Sequence, residues 1–78
     1  MELFSEIKSI LEKILAVDAE AMTKDAHLQF DLGADSLALL TLSVAISKKY
    51  SIELLAEDIV ELENIGELLA LVESKISA

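Results

Sequence analysis

Apolar residues recur at helical spacing in three stretches of the chain, and no stretch alternates as a strand would. Leu3, Ile7, Ile10, Leu11 and Ile14 mark one stripe, which predicts a helix over 3–15. Glu2, Glu6, Lys8, Glu12 and Lys13 fall largely off that stripe, and Glu2 and Glu6 suit the positive end of the helix dipole. The run from Leu37 to Tyr50 predicts a second helix over 36–50, about 22 Å long, with Asp35 or Ser36 as its N-cap. A short helix over 57–62 carries Glu57, Asp58 and Glu61, with Ile59, Val60 and Leu62 as its buried set. Asn64 followed by Glu67 gives a capping-box pattern for a last helix from 65 to 76, striped by Ile65, Leu68, Leu69, Val72 and Ile76. The expected fold is all-α: a small bundle of three main helices plus a short one, in a single domain spanning 1–78.

Residues 16–35 form a long connection. A connection of that length in a small domain is functional or holds short turns of its own. Val17 and Met22 are expected to tuck under it, and Leu28, Phe30 and Leu32 to pin it to the core. Gly33 is expected to supply a backbone angle that other residues disfavour.

The second helix is apolar on two sides. At about 100° per residue, Leu39, Leu42, Ile46 and Tyr50 share one side. Leu37, Leu40 and Val44 lie opposite, beside Thr41 and Lys48. Either both sides are core, or the second is a docking surface; the second reading is the favoured one.

Composition narrows the function. The chain has 78 residues, a net charge of −9 and no cysteine, so it has neither disulfides nor a thiolate metal site. Nucleic acid and anionic membrane are poor partners for such a surface, and a protein with a basic patch is a good one. The longest apolar run, Leu68 to Val72, falls far short of the ~20 residues of a membrane span. The start lacks the positive region of a signal peptide, so a cytoplasmic or organelle-matrix location is expected, the former as the default. The protein is expected to be a monomer.

The string Asp31-Leu32-Gly33-Ala34-Asp35-Ser36-Leu37 closes the acidic connection and opens the second helix. With this string, and with helix lengths and spacings that fit over nearly its whole length, the chain resembles the acyl carrier proteins. The resemblance implies that Ser36 carries 4′-phosphopantetheine through a phosphodiester. It implies a phosphopantetheinyl transferase that attaches the arm with Mg²⁺, and a role for Asp35 in assisting attachment. It further implies that the arm holds an acyl group as a thioester, exchanged with acyl-loading and acyl-using enzymes of fatty-acid, lipid or polyketide biosynthesis. No catalysis by the domain itself is implied, because a tether raises the effective concentration of the cargo at its partner. The placement has a physical reason. A helix N-terminus favours an anion, although the neighbouring Asp35 opposes it.

One departure stands out. Members that serve general fatty-acid synthesis usually carry several carboxylates along the second helix. Here Ser36 to Ser47 contains none, and Lys48-Lys49 follows. Leu55 stands where many relatives have proline. A specialised carrier is therefore expected, docking through Leu37, Leu40, Thr41, Val44 and Lys48. The alternative from another class is an unmodified carrier-like bundle acting as a structural or regulatory subunit; modification of Ser36 discriminates the two. Within carriers, the LGADSL wording favours fatty-acyl or polyketide types over peptidyl types. Enzyme readings are weaker. Ser36, His27 and Asp35 supply triad residue types without any sign of a base or oxyanion arrangement, and His27 reads as a loop histidine. No metal site is expected, since Asp31 and Asp35 lack the alternating ligands of a calcium loop. The acidic run Glu57 to Glu63 reads as a solvated face.

Overall fold

Among the residues that this computed structural model describes, 2–18, 20 and 22–77, the chain forms four α-helices and no strand. They are α1 (Glu2–Leu15), α2 (Ser36–Tyr50), α3 (Ala56–Val60) and α4 (Ile65–Ser77). α1 packs against both α2 and α4, and α3 lies against α2. The three main helices match their predicted spans to within one residue at each end. α3 is shorter than the periodicity suggested and ends with Glu61 as its C-cap. None of the described helices is long and apolar enough to cross a membrane.

The core takes one face from each helix. Ile7 and Leu11 of α1 meet Leu39, Leu42 and Ile46 of α2, Ile59 of α3, and Ile65, Leu68 and Val72 of α4. Met22, Leu28 and Leu54 join them from the connections. Burying each such side chain contributes about 1.5–3 kcal/mol before chain entropy is subtracted. The remaining stripe residues of α1 are half-buried, and Ile76, at the end of the α4 stripe, stands exposed.

Two expectations are corrected here. Phe30 does not anchor the connection; it is 84% exposed. Residues 28–32 wind as a helical turn rather than running extended, so Leu28 and Leu32, four apart, face the core while Phe30 faces water. Val60 is likewise exposed, because Ile59 already takes the inward side of a helix of only five residues.

Backbone contacts strap the long connection to the start of α4. The N–H of Gly66 donates to the Lys24 carbonyl at 2.9 Å, and that of Ile65 to the Ala26 carbonyl at 3.1 Å. A Cβ at Gly66 would come 3.2 Å from the capping Asn64 Oδ1 and touch the Lys24 oxygen at 3.4 Å, so a side chain there presses first on the cap. Lys24 also reaches α1, its Nζ 5.5 Å from the Phe4 ring centre, with Lys8 Nζ at 4.6 Å. Asn64 caps α4 as expected, accepting from the Glu67 N–H at 2.9 Å. The return contact goes one residue further back, from the Glu63 N–H to Glu67 Oε1 at 2.8 Å.

Ser47 closes the turn between α2 and α3. Its Oγ donates to the Leu54 carbonyl at 3.1 Å and accepts from the Leu54 N–H at 3.0 Å. Its own carbonyl accepts from Ser51, which adopts a left-handed φ of 55°, and from Ile52. α3 then starts with the Leu55 N–H, a donor that proline lacks, bonded to Asp58 Oδ2 at 3.0 Å. Ser47→Ala leaves both polar groups of the buried Leu54 without that partner. The expected loss is about 1–3 kcal/mol, read as a lower melting temperature by calorimetry, with a lower denaturation midpoint at unchanged slope.

Tyr50 ties the end of α2 to α1, its hydroxyl donating to Glu6 Oε1 at 2.6 Å. Burial, then that hydrogen bond, then the Glu6 charge hold its pKa above the usual tyrosine value. The folded state therefore keeps a proton that the unfolded chain releases near pH 10, so this contribution is complete below pH ~10 and declines above it. Tyr50→Phe should lower stability by about 1 kcal/mol at neutral pH and flatten the alkaline fall. Denaturant titrations of both proteins between neutral pH and pH ~11 check this; parallel pH curves would contradict it.

Candidate functional site

The segment before α2 is built around His27. Its carbonyl accepts from the N–H groups of Asp31 at 2.9 Å and Leu32 at 3.1 Å. Its ring Nδ1 accepts from Gln29 at 3.1 Å and Phe30 at 3.2 Å, so the histidine caps the turn that it begins. Asp31 Oδ2 takes the His27 backbone N–H at 2.7 Å, and the exposed Phe30 ring stacks on the imidazole at 4.3 Å. With Nδ1 committed to two backbone donors, His27 is not arranged as a base for Ser36 through that atom.

Gly33 turns the chain. Its φ of 76° lies in the left-handed region, and a Cβ there would meet nothing within 4 Å. Its requirement is therefore conformational and not steric. The reversal returns the N–H of Ala34 to the Leu28 carbonyl at 2.9 Å and buries Ala34. Asp35 follows in extended geometry.

Of the two N-cap candidates, the structure uses Asp35. Its Oδ1 accepts from the Ala38 N–H at 2.8 Å, and its carbonyl accepts from Leu39 at 2.9 Å. Ser36 is thus the first residue of α2, exposed, with its hydroxyl relieved of capping. The N–H groups of Ser36 and Leu37 precede the first acceptors of the helix and face its open end. Beside Ser36 lies an open recess of about 200 Å³, lined by Leu39, Ala56, Glu57 and Val60.

The second apolar side of α2 is in water. Leu37 is 71% exposed, Leu40 52% and Val44 47%, and Thr41 and Lys48 are exposed with them. Thr41 turns its hydroxyl back to the Leu37 carbonyl at 3.0 Å. The structure thus sets Ser36 at the head of this row, with Asp35 just before it. His27, by contrast, belongs to the preceding turn. Among the described residues, no three His, Cys, Asp or Glu side chains gather as a metal-binding cluster.

The sequence reading missed the α3 side of the site. The pattern puts Val60 in the core and Glu57 on a plain solvated face, yet both border the Ser36 recess. A five-residue helix is too short for its periodicity to fix which side turns inward. The acidic residues flanking it were the only signal that it stands at the surface.

The arrangement fits a phosphodiester-linked arm. A primary hydroxyl stands exposed where a helix N-terminus stabilises an anion, and nothing in the described cap competes for it. Comparison with known proteins agrees. The family described as "Phosphopantetheine attachment site" matches residues 5–72. An acyl carrier protein of Thermotoga maritima is 33% identical over 75 residues, covering 96% of this chain and 93% of its own. An acyl carrier protein of Helicobacter pylori is 36% identical over 73 residues, covering 94% of each. A helical bundle of this order, with a serine so placed and relatives so similar over nearly the full length, belongs to the acyl carrier protein family: it is a phosphopantetheine-dependent carrier and not a catalyst.

Proposed function

We propose that Ser36 is the residue that carries 4′-phosphopantetheine, and that the protein delivers acyl groups to a restricted set of biosynthetic enzymes. The observation behind the first part is the division of labour at the head of α2. Asp35 takes the cap, so the Ser36 hydroxyl is exposed and available. When bound, the arm supplies a thiol that holds the acyl group as a thioester. The chain's own part is positional. The unpaired N–H groups of the first turn favour the phosphodiester charge, and the Asp35–Ala38 contact fixes the direction in which Ser36 faces. The recess between Ser36 and Val60 gives the first carbons of a chain an apolar wall.

The restriction to particular enzymes is supported by the surface of α2. From Ser36 to Ser47 it offers no carboxylate, and its exposed row is Leu37, Leu40 and Val44. An enzyme surface built to grip an acidic helix finds no partner there and meets Lys48 and Lys49 as like charges.

Intact mass tests the first part. Wild type incubated with coenzyme A, Mg²⁺ and a phosphopantetheinyl transferase should gain the mass of one arm. Ser36→Ala should keep its helicity and gain none. Modification of the alanine variant would assign the arm to another residue. A wild type that stays unmodified by every transferase tried would leave an unmodified interaction module. Kinetics test the second part. Placing glutamates at positions 38, 41 and 48 should raise kcat/KM with a general fatty-acid synthase enzyme about three-fold or more, at ~0.2–1 kcal/mol per exposed contact. Equal use of wild type and the triple variant would contradict specialisation.

A further inference from the structure

The turn before α2 is closed at its start by a side chain that can take up a proton. The His27 ring Nδ1 accepts from the N–H groups of Gln29 and Phe30, and Asp31 Oδ2 accepts from the His27 N–H in return. A serine, threonine or asparagine at such a position accepts at every pH. An imidazole accepts only through a nitrogen that bears no hydrogen, so this cap requires a neutral ring with its proton on Nε2. Histidine is the side chain whose charge ordinarily changes between pH ~5 and 8. His27 is the single histidine of the chain.

A second proton, on Nδ1, would point at two N–H groups and leave both without an acceptor. The carboxylates on the elements that meet this segment are Asp25 and Asp31 in the connection, Asp35 beyond Gly33, and Glu63 and Glu67 at the start of α4, where the Ile65 N–H bonds to the Ala26 carbonyl. The nearest cation in sequence, Lys24, turns its Nζ to the Phe4 ring of α1, as Lys8 does. The Phe30 ring, stacked on the imidazole at 4.3 Å, also attracts a cation. Carboxylates and Phe30 therefore tolerate an imidazolium at this surface, yet neither replaces the acceptor that the Gln29 and Phe30 N–H groups lose. Proton and cap compete for one nitrogen, so the closed turn gains stability as the pH rises through the histidine range.

The far end of the same turn is tied to the approach to Ser36. The Gly33 N–H donates to the Gln29 carbonyl at 3.1 Å, and the Ala34 N–H to the Leu28 carbonyl at 2.9 Å. Leu28 and Gln29 are the residues that the His27 cap holds in the turn. Ala34 is buried, and Asp35 and Ser36 follow it directly. Release of the cap thus loosens the acceptors that fix the chain just before α2.

We propose that His27 is a positioning residue for attachment of the arm: with its ring neutral it holds the turn that presents Ser36 to the transferase, and with its ring protonated it lets that turn open. It takes no part in the chemistry. There the Ser36 oxygen bonds to the phosphorus that bears the arm, the pyrophosphate bond of coenzyme A breaks, the nucleoside bisphosphate leaves and the hydroxyl proton passes to the transferase or solvent. His27 has this role only if Ser36 is the attachment residue, so the turn is also measured by itself, in unmodified protein.

Wild type is compared at matched pH, from ~5.5 to ~8, with His27→Asn, which keeps an acceptor that does not titrate, and with His27→Ala, which keeps none. In unmodified protein, NMR should find the Gly33 and Ala34 amides as protected from hydrogen exchange as in the asparagine variant at pH ~8, and about three- to ten-fold less at pH ~5.5, where they match the alanine variant. With coenzyme A, Mg²⁺ and a transferase, kcat/KM for attachment to wild type should equal that of the asparagine variant at pH ~8 and fall to about one-third of it or less at pH ~5.5. Ratios taken at one pH cancel the transferase's own pH dependence. Should His27→Asn lose helicity by circular dichroism, His27→Ser takes its place. A ratio of wild type to asparagine variant that stays constant with pH, in either measurement, overturns the proposal. Should no transferase modify wild type at any pH, the attachment reading fails and this role with it, whereas constant ratios in a protein that is modified leave that reading intact and remove His27 alone.

Discussion

The burial of Leu39, Leu42 and Ile46 sets the rotation of α2, and most of what is distinctive in this molecule follows from that rotation. A helix in so small a bundle is wrapped over part of its circumference, and α1 and α3 do the wrapping here. At about 100° per residue, a helix that turns positions 39, 42 and 46 inward must turn 37, 40, 41 and 44 outward. Ser36 lies within about 80° of Leu40 and Val44 on the same wheel. The core thus places the Ser36 hydroxyl at the head of an exposed apolar row without any contact dedicated to that end.

The connection before α2 solves a different problem. It must deliver the chain to the first turn at one angle, and it does so with short-range polar contacts. His27 holds the turn at one end by its ring nitrogen and carbonyl, and Gly33 reverses the chain at the other. Asp35 then closes the first turn of α2. Each contact is local, and together they leave Ser36 out of the hydrogen-bonded cap. A serine at the cap position itself would have its oxygen drawn toward the N–H groups of the second and third helical residues. Moving the cap one residue upstream leaves the structural role to Asp35 and the Ser36 side chain exposed.

Much of this could be read from the sequence, and the parts that could not share a physical reason. α1, α2 and α4 are long enough for a 3.6-residue period to show, and their spans emerged to within one residue. Phe30 and Val60 were misplaced because each sits in a segment of about one turn, where hydrophobicity alone does not say which side turns inward. Asp35 and Ser36 are both good caps, and propensity could not choose between them. The pairing of Ser47 with Leu54 depends on the tight turn at Ser51, a non-glycine residue with positive φ, which leaves no signature in the residue types. The wheel separates the two apolar sides of α2, and the exposure of Leu37, Leu40 and Val44 agrees with the favoured reading in that the second side is not core.

The acidity of the chain and the neutrality of its second helix act at different distances. Carboxylates in the connection and in the last third of the chain set a long-range field that favours approach by a basic partner, screened beyond about 8 Å at physiological salt. At contact that field no longer decides the register. The surface of α2 then offers apolar side chains, one hydroxyl turned back on its own helix and Lys48. On the proposed docking through α2, steering and selection would be separable: charge far from α2 would govern how often a partner arrives, and the shape and sparse charge of α2 would govern which partner stays. In a relative whose second helix bears the carboxylates, one set of groups would serve both purposes, and a change in one could not be made without changing the other.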